Sequence, residues 1–139
     1  MSYRPGTGLP QVTMSARGPL LTVPPAAPPK TLVTRTLIEG HGPRLVSGQT
    51  VVTQFTGVLW RTGAVFDSSW QHRAPQSFVL GSSHVIPGWN QALTGQHVGS
   101  RLLLVIPPSL GYGKAGDPPT ITPKDTLIFV IDILAATPG

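Results

Sequence analysis

The run of residues 126–134 constrains the fold of this 139-residue chain more than any other segment. Alternate side chains of an extended strand point to opposite faces, and here both alternating sets are mostly apolar. A strand that is apolar on both faces is typical of the centre of a sheet that is covered on two sides. We therefore expect residues 126–134 to form the central strand of a β-rich domain.

Other segments from Thr31 onward also have the composition of strands. Residues 50–56 are rich in Val, Thr and Phe, residues 78–81 end a second extended piece, and residues 101–106 are nearly all apolar. The link of residues 107–123 is too long for an ordinary hairpin, and loops of this size are usually functional or disordered.

Only residues 87–93 have the pattern of a helix. Pro87 suits a first helical turn, Trp89 and Leu93 lie four residues apart on one face, and Gly95 supplies a stop. One short helix against a strongly bent antiparallel sheet is an α+β arrangement.

A proline-rich segment precedes these elements. Half of the 16 prolines lie in the first 43 residues, and the stretch 24–29 favours extended polyproline geometry, which predicts a semi-rigid spacer. Apolar patches at residues 18–23 and 32–38 leave open whether this segment also packs on the domain. We divide the chain into an extension or linker, residues 1–30, and a domain, residues 31–139.

The net charge of +5 lies mainly towards the N-terminus, since residues 1–47 carry +4 and residues 48–139 carry +1. The positive charges are dispersed, which argues against a nucleic-acid partner. No cysteine is present, and no apolar run is long enough to predict a membrane span. The first residues lack the apolar core of a signal peptide, so we expect a cytoplasmic protein, or an exported one if the chain is part of a longer protein.

Catalytic motifs of the common kinds are not found in the sequence. The four histidines lack metal-ligand spacing, no Gly-x-Ser-x-Gly elbow occurs, and the glycines fall at turns rather than in a phosphate-binding loop, so we expect no metal and no cofactor. What stands out is a set of widely spaced aromatic residues, many beside turn signals. We interpret Phe78 among them as core packing.

Ten short blocks, without an insertion between Gly48 and Leu134, resemble the FKBP-type peptidyl-prolyl cis/trans isomerases. They begin at Gly48, Phe55, Gly63, Phe66, Val85, Leu93, Val98, Ile106, Leu110 and Asp125. The resemblance implies a half-barrel of antiparallel strands around one short helix, and rotation of X-Pro bonds as the activity. The extension is similar to the linker before the second domain of tandem FKBP proteins from actinobacteria.

The resemblance also implies a proline pocket with Trp89 as its floor. The catalytic residues would be Asp67, Phe66, Trp89, Tyr112 and Phe129, and the substrate-binding residues Phe55, His72, Gln76, Val85, Ile86 and Ile121. Ile121 would lie on an overhanging loop, and the Ile86 N–H and Tyr112 hydroxyl would bind substrate carbonyls.

Four positions depart from the family pattern: Phe55 replaces a pocket tyrosine, His72 an arginine, Gln76 a wall phenylalanine and Asp117 a loop residue that is often histidine. They bear on the setting of Asp67 and on affinity for macrolides such as tacrolimus and rapamycin. The expected partners are X-Pro peptides and unfolded or folding proteins, bound by a monomer. Two alternatives are a proline-binding or chaperone module without turnover, and an assembly domain in which the extension is the operative part.

Overall fold

The computed structural model describes residues 2–3, 8–16, 18–83, 85–112, 116 and 121–137. The strands are β1 Ser2–Tyr3, β2 Gln11–Ser15, β3 Gly18–Thr22, β4 Val33–Ile38, β5 Thr50–Leu59, β6 Val65–Ser68, β7 Gln76–Val79, β8 Arg101–Ile106 and β9 Leu127–Ala136. The helices are α1 Ser69–His72 and α2 Pro87–Leu93, and Pro108–Leu110 form a turn of 3₁₀ helix. Among the described residues, no helix is both long and apolar enough to span a membrane.

Strand β9 lies at the centre of a six-stranded antiparallel sheet. The order is β4-β8-β9-β5-β6, and β7 pairs with the other end of β5. Side chains such as Phe129 and Ile131 are buried on the face towards α2, and Ile128 and Val130 are buried on the opposite face. The prediction of a central strand covered on two sides is therefore confirmed.

The bent, open sheet and helix α2 confirm the predicted α+β fold. Helix α2 has the predicted bounds, with Pro87 in its first turn, where a missing N–H leaves no hydrogen bond unmade. At its other end the Thr94 N–H donates to the Asn90 carbonyl, and Gly95 follows with φ +89°. That left-handed backbone conformation suits glycine.

Helix α1 was not predicted. It is a single turn that begins directly after β6 and ends at Arg73, which has a left-handed φ of 55°. The segment carries no apolar repeat long enough to indicate a helix, and tertiary packing, mainly against β5, fixes it. This turn matters because its last residue, His72, contacts the carboxylate of Asp67.

The N-terminal residues form a structure that the prediction of a proline-rich spacer did not include. Strands β2 and β3 pair as an antiparallel hairpin, and Val12 is buried against the outer face of the main sheet. Beyond the hairpin, the indole N–H of Trp60 donates to the Ala26 carbonyl at 2.9 Å. The segment packs on the domain because its apolar side chains cover the second apolar face of β8 and β9. The boundary at residue 30 stays a prediction.

Candidate functional site

A cavity of about 590 Å³ opens beside α2. This volume is within the range of small-molecule sites, which are commonly about 300–1,000 Å³. Its lining consists of Phe55, Asp67, Gln76, Ser77, Phe78, Ser83, Val85, Ile86, Pro87, Trp89, Gly111, Tyr112, Gly116 and Phe129. The structure therefore brings together eight of the eleven residues that the sequence predicted, namely Phe55, Asp67, Gln76, Val85, Ile86, Trp89, Tyr112 and Phe129.

Trp89 forms the floor of this cavity. Its ring is only 6% exposed and makes edge-to-face contacts with Phe55, Phe78 and Phe129 at centroid distances of 5.2, 5.3 and 5.2 Å. Such contacts add about 0.5–1.5 kcal/mol each beyond the burial of apolar area. The indole N–H has no acceptor among the described residues. The floor is thus a rigid apolar surface with one buried donor.

Two of the aromatic walls come from the two longest strands. The ring centroids of Phe55 on β5 and Phe129 on β9 lie 6.1 Å apart. Phe66 on β6 packs edge-on against Phe129, with 5.5 Å between the ring centroids. Gly57 faces Phe129 across the β5–β9 ladder, and a Cβ at Gly57 would lie 2.7 Å from both the Phe129 and the Phe66 rings. The rings occupy the space that this glycine leaves.

Phe78 is a wall residue for which the sequence interpretation favoured core packing. It packs on the floor and lines the cavity. The strand period of two could have found it, because Gln76 and Phe78 share one face of β7. Ser77, Ser83, Pro87, Gly111 and Gly116 were also missed.

Asp67 supplies a carboxylate to the lining. Its Oδ1 accepts a hydrogen bond from the Ser68 N–H at 2.9 Å and lies 3.2 Å from Nε2 of His72. Both side chains are well exposed, 49% for Asp67 and 61% for His72, so solvent screens this pair. His72 is not a lining residue itself and reaches the cavity only through Asp67.

Two buried hydroxyl groups hold the Asp67 segment to β5. Ser68 Oγ lies 3.1 Å from Thr56 Oγ1, and Ser69 Oγ accepts the Phe55 N–H at 2.7 Å. Ser69 also bonds the side chain of Gln54. Because β5 carries Phe55, these contacts fix a cavity wall and the carboxylate relative to each other.

Phe66 and Ile121 are the other predicted site residues that do not line the cavity. Phe66 supports Phe129 from behind, as described above. Ile121 was expected on an overhanging loop, but it is 2% exposed and packs in the core cluster, where an isoleucine side chain gains most from burial.

An ion pair anchors the start of β9 near Ile121. Asp125 accepts two hydrogen bonds from Arg61 at 2.9 and 3.1 Å and one from the Thr122 N–H at 2.8 Å. The hydrogen bond from Arg61, above all, lowers the pKa of Asp125 below its ordinary value, against the opposing effect of burial. The contact fixes the strand that delivers Phe129 to the wall.

This lining suits a flat or ring-shaped apolar group held over an indole. The polar groups are few and lie towards the exposed side, where Tyr112 is 37% exposed and Asp67 is open to solvent. Such a site binds by shape and burial and orients its ligand with single hydrogen bonds.

Comparisons with known proteins agree with this geometry. The model of the FKBP-type peptidyl-prolyl cis-trans isomerase family matches residues 42–134. The chain is 42% identical over 123 residues to an FK506-binding protein of Streptomyces anulatus, covering 88% of this chain and 99% of that protein. It is 37% identical over 103 residues to the peptidyl-prolyl cis-trans isomerase FPR2 of Saccharomyces cerevisiae, covering 74% and 76%.

Solved structures give the same result. The crystal structure of FkpA from Escherichia coli superposes with a TM-score of 0.71 at 34% identity, over 96% of this chain and 53% of that one. A peptidyl-prolyl cis-trans isomerase from Pseudomonas syringae pv. tomato superposes with a TM-score of 0.69, also at 34% identity, over 77% and 76%.

Proposed function

The chain belongs to the FKBP-type peptidyl-prolyl cis-trans isomerase family, and we propose that the aromatic cavity above Trp89 is where it accelerates rotation about X-Pro bonds. The observation that carries this proposal is the convergence of Phe55, Phe78 and Phe129 over one indole floor.

Rotation about an X-Pro bond is slow because it breaks amide resonance, and the barrier is about 18–20 kcal/mol. In the twisted transition state the carbonyl oxygen loses part of its negative charge. An apolar cavity therefore favours the twisted amide over the planar one, relative to water. That preference is differential binding, and each 1.36 kcal/mol of it raises the rate about tenfold.

The apolar and the polar residues around the cavity have different roles in this reaction. We assign the proline ring to the Trp89 floor and the aromatic walls. The Ile86 N–H and the Tyr112 hydroxyl would bind the carbonyls on either side of the bond. The Asp67 carboxylate disfavours the more negative oxygen of the planar amide, and so it destabilises the ground state more than the twisted state.

Exchange NMR on a Leu-Pro peptide tests this function. A catalytic amount of the protein should raise the cis/trans exchange rate, and a macrolide of the tacrolimus or rapamycin type should suppress the increase by occupying the cavity. Catalysis that survives saturation with a bound macrolide would place the active site elsewhere. Perturbed peptide signals without faster exchange would identify a binder instead.

That second function, clamping of proline-containing segments without turnover, has one observation in its favour. Gln76 places an exposed amide on the wall beside Phe78, where an apolar side chain would make the cavity drier. We favour the isomerase because the floor and the two buried walls are aromatic. The native substrates are proposed to be unfolded or folding proteins with accessible X-Pro bonds, and the monomeric state and cytoplasmic location stay predictions.

A further inference from the structure

We propose that Trp70 is a positioning residue that connects the Asp67 side of the cavity to the N-terminal hairpin of β2 and β3. The inference rests on the proposed function, because it assigns a role within the same site. Trp70 does not line the cavity. It is the second residue of α1 and lies between Asp67 and His72 in the chain.

The indole of Trp70 packs directly on the backbone of Gly18 at the start of β3. A Cβ on Gly18 would lie 2.6 Å from Cγ of Trp70 and 2.8 and 2.9 Å from Cδ1 and Cδ2. These distances are too short for any side chain. Gly18 is buried and has a φ of +100°, so both the space and the backbone conformation require glycine there.

The hairpin that contacts the Trp70 ring is itself held in place by a hydrogen bond and by apolar burial. Ser15 Oγ donates to the Gly18 carbonyl at 2.8 Å, which closes the end of the hairpin next to Trp70. On β2, Val12 is buried against Val58 and Ile128 on the outer face of the main sheet. The contact therefore links α1 to the sheet by a second route, independent of the serine contacts to β5.

The first half of α1 is already fixed, since Ser69 is buried and bonded to Phe55. The second half ends in the exposed His72. Asp67 Oδ1 accepts the Ser68 N–H and also contacts His72. The His72 contact depends directly on how the turn is held, and its loss changes the electrostatic surroundings of the Ser68 N–H that donates to the same oxygen. Without the Trp70 contact, we expect His72 to move away and the carboxylate to lose that partner.

A double-mutant cycle separates positioning from simple packing. Trp70→Ala is made in the wild-type chain and in an Asp67→Ala chain, and kcat/KM is measured with a Leu-Pro peptide. The Asp67–His72 pair is exposed to solvent, so its contribution to activity is small. We expect Trp70→Ala to lower kcat/KM only about two- to fivefold in the wild-type chain and to have no further effect in the Asp67→Ala chain. Trp70→Phe should recover most of the loss.

A control variant lies on the same hairpin. Leu20→Ala changes a side chain that is 59% exposed and distant from the cavity lining, and it should leave kcat/KM unchanged. The amide proton of Ser68, which donates to Asp67, gives a readout that does not need catalysis. Its chemical shift should move in Trp70→Ala and in Gly18→Ala and stay in place in Leu20→Ala.

If Trp70→Ala lowers kcat/KM equally in the wild-type chain and in the Asp67→Ala chain, Trp70 has a packing role and the inference is overturned. It is also overturned if Asp67→Ala alone leaves kcat/KM at the wild-type value. A Ser68 signal that does not move in Trp70→Ala would also overturn it. If the wild-type chain does not catalyse exchange at all, the proposed function fails, and the Ser68 signal still decides whether Trp70 positions Asp67.

Discussion

A single methyl group at Gly57 should damage the cavity wall while leaving every aromatic side chain in the sequence. In Gly57→Ala the new Cβ would lie 2.7 Å from Cε1 of Phe129 and 2.7 Å from Cζ of Phe66. Phe129 is buried between Phe66, Phe55 and Trp89. The least obstructed direction for its ring is the cavity, which it already lines.

The expected loss of stability is modest. Overpacking of a core by one methyl group destabilises the fold by about 1–3 kcal/mol. Replacing glycine by alanine also lowers the conformational entropy of the unfolded chain, which stabilises the fold by about 0.4–1 kcal/mol. The net loss of about 0–2.6 kcal/mol corresponds to a fall of up to roughly 8 °C in Tm for a chain of this length. The protein should remain folded at 25 °C.

The expected loss of activity is larger. If the displaced ring removes about 1–2 kcal/mol of preferential stabilisation of the twisted amide, kcat/KM falls about five- to thirtyfold. Exchange NMR on a Leu-Pro peptide measures it. Gly42→Ala is the matched control, because its Cβ would lie 2.9 Å from Cβ and the carbonyl oxygen of Val98, away from the cavity lining.

Gly42→Ala should lower Tm by a similar amount and keep its activity. The reasoning is refuted if Gly57→Ala melts lower but turns over peptide at the wild-type rate. It is also refuted if the two variants lose activity alike, since the loss would then follow stability and not the position of Phe129.

Other substitutions test separate parts of the account. Asp67→Val should lower kcat/KM less than Phe129→Ala does, because the carboxylate is half exposed while the ring forms the wall; the reverse order would make electrostatics the larger contribution. Phe78→Ala should weaken macrolide binding by about tenfold in titration calorimetry through the loss of its contact with the floor, and unchanged affinity would return Phe78 to the core. The Arg61 hydrogen bond lowers the pKa of Asp125, so this pair stabilises the fold above the ordinary carboxyl pKa and loses that effect as pH falls. Between about pH 5 and pH 3 the urea midpoint of the wild type should therefore fall more steeply than that of Asp125→Asn, and parallel curves would contradict the assignment.

The sequence predicted the parts of the fold that follow from local patterns. Strand β9 was recognisable because both of its faces are apolar, and α2 because proline, periodicity and glycine agree on its bounds. The N-terminal hairpin was missed because the proline stretch 24–29 suggested an extended spacer, whereas Val12 gains burial only when β8 and β9 offer their outer face.

The candidate site was predicted less evenly. The family resemblance correctly placed Trp89 and the strand residues in the cavity lining, because the face on which a residue of a helix or strand lies follows from its position along that element. Ile121 was misplaced because no pattern distinguishes a loop isoleucine that enters the core from one that overhangs a cavity. Trp70 gave no signal at all, because its partner Gly18 lies 52 positions earlier in the chain.

The most direct test of the account is the catalysed cis/trans exchange rate of a Leu-Pro peptide with Trp89→Leu, compared with Leu93→Val on the same helix. Leu93 is fully buried but does not line the cavity. We expect Trp89→Leu to lose at least about tenfold in rate and Leu93→Val to stay within about twofold of the wild type. A folded Trp89→Leu enzyme that keeps the wild-type rate would contradict the claim that this floor stabilises the twisted amide.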